Sequence, residues 1–109
     1  MNDTQALALD LHPWDRDFLR DFFGETAEDL RKDLTTGRTR NPASTEEAIR
    51  AYDALASGAE AGTIEADDEI RRRAYLAARA ADRENEWDRI AREHLAFGTL
   101  VDQLSEVPA

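Results

Sequence analysis

The sequence predicts an all-α protein, a compact bundle of three to five helices without a β-sheet. Apolar residues recur at steps of three and four in every apolar segment after residue 13, which is the spacing of one helix face. Prolines and glycines stand where such helices would begin and end. A chain of 109 residues buries about two-thirds of its unfolded surface, which is enough for one core. We therefore expect an extended N-terminal arm over residues 1–12 and a single helical domain over residues 13–109.

The arm is expected to be extended because its apolar residues have a period of two. Leu7, Leu9 and Leu11 alternate with Ala8 and Asp10. No other stretch reads as a strand that could pair with it. We expect its leucines to pack on the helices rather than on a second subunit, because chain termini are usually loosely held.

The first helix is expected over residues 13–36. Pro13 suits the first position of a helix, where its missing N–H would have had no partner, and Gly37 suits the end. Gly24 falls on the polar side, where a glycine costs only about 1 kcal/mol. The buried face of this helix consists of Phe18, Leu19, Phe22, Phe23, Ala27, Leu30 and Leu34.

The opposite face of the first helix carries a ridge of carboxylates. Most of them have another acidic residue three or four positions away, which mildly destabilises a helix and is the kind of arrangement that function can maintain. We take this acidic ridge as the candidate partner-binding site. Its members are Asp17, Asp21, Glu25, Glu28 and Asp29.

A polar linker leads to a second helix that Ser44 is expected to cap. Glu47 lies three residues further on and completes a capping box, with Pro42 just outside the helix. Gly58 is expected to end this helix, and Gly62 to close the turn that follows. Its buried face is expected to contain Ile49, Tyr52, Leu55 and Ala56.

A third helix is expected from about Thr63. Four acidic residues stand in its first turns and three arginines follow, which suits the helix dipole and places opposite charges three or four residues apart. A basic triplet can contact nucleic acid. With acids directly upstream, we expect local ion pairs instead. The acidic residues are Glu65, Asp67, Asp68 and Glu69, the arginines are Arg71, Arg72 and Arg73, and the apolar line is Ile70, Ala74, Ala77 and Ala81.

The C-terminal helix is expected to hold the core together. Residues 82–86 are wholly polar and predict a kink or a break, after which residues 87–104 form a strongly amphipathic helix. Trp87 is its largest apolar side chain and is expected to be buried. Ala91 and Gly98 lie beside the apolar seam, where small side chains would let another helix approach closely. The seam consists of Trp87, Ile90, His94, Phe97, Val101 and Leu104.

Motifs for catalysis, metals and cofactors are missing from the sequence. The chain has no cysteine, which excludes disulfides and thiolate zinc sites, and it has no nucleophile elbow or glycine-rich phosphate loop. Asp82, Glu84 and Glu86 imitate the first ligands of a calcium loop, but Trp87 occupies the position that needs glycine. His94 is interpreted as a hydrogen-bonded core histidine rather than a ligand or proton carrier. We expect no enzymatic activity, no metal and no cofactor.

The sequence contains no membrane-targeting signal. No apolar run reaches the roughly 18 residues of a membrane span. The first residues, Met1, Asn2 and Asp3, lack the basic start of a signal peptide. We expect a cytoplasmic protein without membrane contact.

The charge distribution indicates a protein partner. Residues 1–70 contain 17 acidic and 7 basic residues, whereas residues 71–109 contain 7 of each, so the whole net charge of −10 lies in the first part. This asymmetry favours a partner-facing acidic surface over general solvation. We interpret the chain as a small non-enzymatic protein-binding module, an adaptor, regulator or inhibitor, whose partner has a basic surface. A homodimer is expected, since apolar faces can also be covered across a two-fold axis.

The alternative function is a DNA mimic that inhibits a nucleic-acid-binding or defence enzyme, of the anti-restriction or anti-CRISPR type. Carboxylates four residues apart on a helix repeat about every 6 Å, whereas phosphates repeat about every 3.4 Å along a DNA strand. One ridge is therefore too sparse, and mimicry would need the first two helices side by side. Neither interpretation includes direct binding of nucleic acid.

Overall fold

The computed structural model describes residues 6–83 and 90–105. The described part contains four helices and one two-stranded sheet, which confirms an all-α bundle of three to five helices. The elements, in chain order, are β1 (Ala6–Ala8), α1 (Pro13–Thr35), α2 (Pro42–Ala61), β2 (Thr63–Glu65), α3 (Asp68–Arg83) and α4 (Ile90–Ser105).

The four helices surround one apolar core. Helix α1 packs against α2 and α4, and α3 packs against the same two helices, so α1 and α3 lie at opposite corners of the bundle. Phe97 of α4 is at the centre of an aromatic cluster, with its ring centroid 5.4 Å from Phe18 and 6.0 Å from Phe23. The core consists of Leu9, Leu11, Leu19, Phe23, Ala51, Leu55, Ala59, Ile64, Ala66, Ile70, Ala74, Ala77, Ala96, Phe97, Leu100 and Leu104.

Helix α1 has the bounds that the sequence predicts, within one residue. Pro13 occupies its first turn, and His12 caps it by accepting the Trp14 N–H on Nδ1 at 3.2 Å. Gly37 follows the helix with a φ of 71°, a left-handed conformation that glycine adopts without steric cost. Of the predicted apolar face, Leu19, Phe23 and Ala27 are fully buried.

Helix α2 begins earlier than predicted, and the expected Ser44 cap is wrong. Asn41 caps the helix by accepting the Ser44 N–H on Oδ1 at 3.2 Å, and Pro42 is the first helical residue. Asn41 and Pro42 together satisfy the preferences for the cap and for the first helical position. Glu47 does not close a capping box; its carboxylate pairs with Arg50 at 3.0 Å.

Helix α2 also ends later than predicted, because Gly58 lies inside the helix. Gly62 ends it with a φ of 80°, and the Gly62 N–H donates to the Gly58 carbonyl at 2.8 Å. Gly58 is buried against Ile64 of β2, where an added Cβ would lie 2.9 Å from the Ile64 Cβ. A tertiary contact, and not the end of the helix, requires glycine at this position.

The two strands correct the expectation of a chain without a sheet. β1 pairs antiparallel with β2, with Leu7 opposite Ile64. The third helix therefore does not start near Thr63. It starts at Asp68 after Asp67, whose Oδ1 accepts the Ile70 N–H at 2.9 Å.

The leucines after β1 pack on the helices, as predicted. Leu9 and Leu11 are buried in the core, and the Leu9 N–H donates to the Gly62 carbonyl at 2.8 Å.

Asp10 is joined to α4 by two hydrogen bonds. The Asp10 N–H donates to Gln103 Oε1 at 2.8 Å, and Gln103 Nε2 donates to the Asp10 carbonyl at 2.9 Å.

Helix α4 buries part of the predicted seam and two residues beside it. Phe97 and Leu104 are buried as expected, and so are Ala96 and Leu100. Among the described residues no close approach occurs at Gly98: apart from the neighbouring backbone of α4, none of their atoms lies within 4 Å of an added Cβ there. The stretch 82–86, where the sequence predicts a kink or a break, lies partly outside the described residues. Trp87 lies outside them as well. The side chains of Ala81, Ile90, Ala91 and His94 are also outside the described part.

Candidate protein-binding surface

The acidic ridge lies on the solvent side of α1. All five of its residues are exposed, and the side chains of Asp17, Asp21 and Glu28 are 71%, 63% and 62% accessible. The buried residues of the same helix face the opposite way. The ridge is therefore accessible to a partner along about three helical turns.

Two arginines partly neutralise the ridge. Arg20 contacts both Asp21, at 3.0 Å, and Asp17, at 3.4 Å. The hydrogen bond and charge of Asp21 raise the pKa of Arg20 above its ordinary value, and the more distant charges of Asp17 and of Glu60 in α2 act in the same direction. Arg20 therefore lies among carboxylates from two helices.

The second arginine joins the ridge to α2. Arg31 contacts Glu28 at 3.9 Å and makes a closer ion pair with Asp53 of α2. Asp53 and Glu60 thus extend the acidic surface across the α1–α2 pair. The sequence interpretation did not include them, although their separation of seven residues places both on one side of a helix.

Two members of the ridge have no counter-ion in the part of the chain that the structure describes. Glu25 and Asp29 are exposed and form no ion pair with a described residue. Glu25 has Asp21 and Asp29 four residues away on either side. Uncompensated charges at this spacing repel one another and raise the local negative potential.

Aromatic side chains lie beside the ridge. Trp14, Phe18 and Phe22 follow one another at steps of four along α1, with Trp14 58% and Phe22 36% exposed. The Phe22 ring packs edge-on against Phe97, with centroids 4.9 Å apart. We call Trp14, Phe22 and the acidic ridge together the α1 face. Aromatic anchors with a charged rim are typical of protein interfaces.

The basic triplet of α3 is engaged in local ion pairs, as predicted. Arg71 contacts Asp68 at 3.5 Å, and Arg72 and Arg73 contact the two carboxylate oxygens of Glu69 at 3.6 and 2.7 Å. One glutamate therefore serves two arginines, which leaves positive charge on this helix.

An open groove of about 460 Å³ lies between α2 and β2. Its base includes Gly58 and Ile64. The one arginine in its lining, Arg50, is paired with Glu47 at 3.0 Å and with Asp67 at 3.1 Å. This arginine is therefore already neutralised.

The described residues contain no cluster of three or more histidine, cysteine or acidic side chains that could hold a metal ion. Among the same residues, no helix combines the length and the apolar character that crossing a membrane requires. Two of the calcium-like acids, Glu84 and Glu86, lie outside the described range, and the side chains of Asp82 and His94 are not described.

Comparison with protein-family models, with curated proteins and with solved structures gives no match for this chain.

Proposed function

We propose that this protein is a non-enzymatic binding module, an adaptor, regulator or inhibitor, whose α1 face docks on a basic surface of a protein partner. The observation that carries the proposal is the exposure of all five ridge carboxylates on one side of α1, next to exposed aromatic side chains. We place this binding in the cytoplasm, as the sequence predicts.

The charges and the aromatic residues have different roles in this proposal. Uncompensated carboxylates such as Glu25 and Asp29 attract a basic surface and select it over other surfaces, mainly by speeding the encounter. Trp14 and Phe22 supply apolar area, which gives most of the affinity in a typical interface. Binding should therefore weaken with salt without being abolished, because salt screens exposed charges and not apolar contacts.

The test is a pull-down from the native host at low and high salt, with a variant that lacks part of the ridge. The variant carries Asp17→Asn, Asp21→Asn and Glu25→Gln. The matched control removes three acidic charges elsewhere, by Glu65→Gln, Asp68→Asn and Asp102→Asn, all exposed.

We expect the ridge variant to lose partners that the parent and the control both retain. Recovery of the same partners at equal yield by all three proteins would remove the ridge from the function.

A DNA mimic is the second candidate, and one observation favours it. Asp53 and Glu60 of α2 lie next to the arginines of the ridge, so the two helices present carboxylates side by side. Arg20 and Arg31 lie among these carboxylates, which lowers the charge density below that of a duplex. If the captured partner is a nucleic-acid enzyme and a DNA duplex displaces it, mimicry replaces the adaptor interpretation.

A further inference from the structure

Helix α3 differs in charge from the rest of the described chain. It contains five arginines and three acidic residues, whereas each of the other described helices has more acidic than basic residues. In a protein with a net charge of −10, α3 is thus the one described helix with a positive net charge.

The outward side of α3 combines this charge with apolar side chains. Arg72, Tyr75, Leu76 and Arg79 are all exposed and follow the spacing of one helix face. Tyr75 is 51% and Leu76 40% exposed, and the Arg79 guanidinium lies 5.8 Å from the centroid of the Tyr75 ring. We call these four residues the α3 face. Tyrosine and arginine are among the residue types that are enriched in protein interfaces.

We propose that the α3 face of one copy of this chain binds the α1 face of a second copy. The two faces are complementary in charge: α1 presents carboxylates, and α3 presents guanidinium groups. The spacing also agrees, since Arg72 and Arg79 are seven residues apart, as are Asp21 and Glu28, which gives about 10.5 Å along each helix. Between these charges, Tyr75 and Leu76 of one copy contact the exposed ring of Phe22 in the other copy.

The position of the two helices determines the type of assembly. α1 and α3 lie at opposite corners of the bundle, since each packs against α2 and α4. Their exposed faces therefore point away from each other, and one pair of copies cannot satisfy both faces. Contacts of this head-to-tail type form rings or open chains of copies. The net charge of each copy opposes assembly only weakly, because physiological salt screens the repulsion between charges more than about 8 Å apart.

This inference rests on the proposed function in one respect, namely that the α1 face is an interaction surface. It adds that a second copy occupies this face until the basic partner displaces it. Self-association and partner binding would then compete for the α1 face. The fraction of α1 faces that is free to bind the partner would therefore fall as the concentration of the protein rises.

The test uses the purified chain alone, in sedimentation velocity over tens to hundreds of micromolar. We expect an average mass that exceeds one chain, passes two chains as the concentration rises, and falls at about 1 M salt, where charges are screened beyond about 3 Å. A parent protein that stays at one chain throughout would overturn the proposal, and a mass that stops at two chains would overturn the head-to-tail arrangement.

Charge reversal identifies the two surfaces. Variants with Asp21→Arg and Glu28→Arg, or with Arg72→Glu and Arg79→Glu, should each associate at least about tenfold more weakly than the parent, a loss of about 1.4 kcal/mol. A chain that carries all four substitutions restores opposite charges across the contact and should associate again, which also shows that the variants fold. Undiminished association of either two-site variant, or no recovery in the four-site variant, would contradict the proposed contact. Partner capture by the ridge variant is measured separately, so failure of one proposal does not imply failure of the other.

Discussion

Glycines inside helices meet different surroundings in this protein. At Gly58 an added Cβ would lie 2.9 Å from the Cβ and 3.1 Å from the Cδ1 of Ile64, whereas at Gly24 no atom of the described residues lies within 4 Å, apart from the neighbouring backbone of α1. Both residues are in helix interiors, where glycine is less favourable than alanine by about 1 kcal/mol. The contact with Ile64 therefore decides the sign of the effect at Gly58.

We predict that Gly58→Ala destabilises the protein and that Gly24→Ala stabilises it. Overpacking costs about 1–3 kcal/mol, and it exceeds the helix-propensity gain because the Ile64 Cβ is fixed to the strand backbone. Gly24→Ala should raise the free energy of unfolding by about 0.5–1 kcal/mol. Urea unfolding of the two variants measures both changes. A Gly58→Ala protein as stable as the parent would show that β2 can move away at no cost.

The beginning of α2 offers a second test at the level of single residues. Asn41→Ala removes the side chain that accepts the Ser44 N–H, and we expect a loss of about 1 kcal/mol. Ser44→Ala is the matched control, since the Ser44 side chain does not cap the helix and the substitution should change stability by less than about 0.5 kcal/mol. Thermal or urea unfolding distinguishes the two. A larger loss of stability in Ser44→Ala than in Asn41→Ala would show that Ser44 is the cap.

The helices show which parts of the fold were predictable from local signals. The bounds of α1 were predicted because Pro13 and Gly37 have no local competitor. At α2 the capping-box pattern of Ser44 and Glu47 favoured Ser44, whereas Asn41 before Pro42 forms the cap. β2 could not be found locally, since Ile64 pairs with Leu7 and packs on Gly58, and neither contact leaves a periodic pattern.

Helix α4 contributes to the core through the ring of Phe97. We predict that Phe97→Ala lowers the free energy of unfolding by about 3–5 kcal/mol, because the ring is 3% exposed and three phenylalanines of α1 pack against it. Leu95→Ala on the same helix is the control: Leu95 is 67% exposed, and its loss should cost less than about 0.5 kcal/mol. Urea unfolding measures the loss in each variant. Equal losses for Phe97→Ala and Leu95→Ala would show that the aromatic cluster does not stabilise the protein. The expected burial of Trp87 stays a prediction, because this residue lies outside the described part of the chain.

The acidic ridge should lower the stability of the helix that carries it. Glu25 has like charges four residues away on both sides, so Glu25→Gln should raise the free energy of unfolding by about 0.5 kcal/mol at low salt. In about 1 M salt the two proteins should unfold alike, because the repulsion is screened. If the difference persisted at high salt, repulsion within the ridge would not be its cause.

Across the whole molecule, charge is divided between an acidic α1–α2 pair and a basic α3. The ridge was predictable because its five members lie on one helix and share its periodicity. Asp53 and Glu60 were not, because their place beside Arg31 and Arg20 depends on how two helices pack. The α3 face was missed for a similar reason: Arg72 was assigned to a local ion pair, and the exposure of Tyr75 and Leu76 depends on which side of α3 meets the core.

The hydrogen bonds between Asp10 and Gln103 have a consequence for the order in which the protein folds. The two residues are 93 positions apart, and contacts between such distant residues carry a high loop-closure cost and form late. α1 and α2 are neighbours joined by a short connection, so their pairing does not wait for α4. During synthesis the N-terminal part of a chain emerges first. Here the segment before α1 is an exception, since its partners in β2 and α4 are made later, and residues made at the start are among the last to reach their native positions.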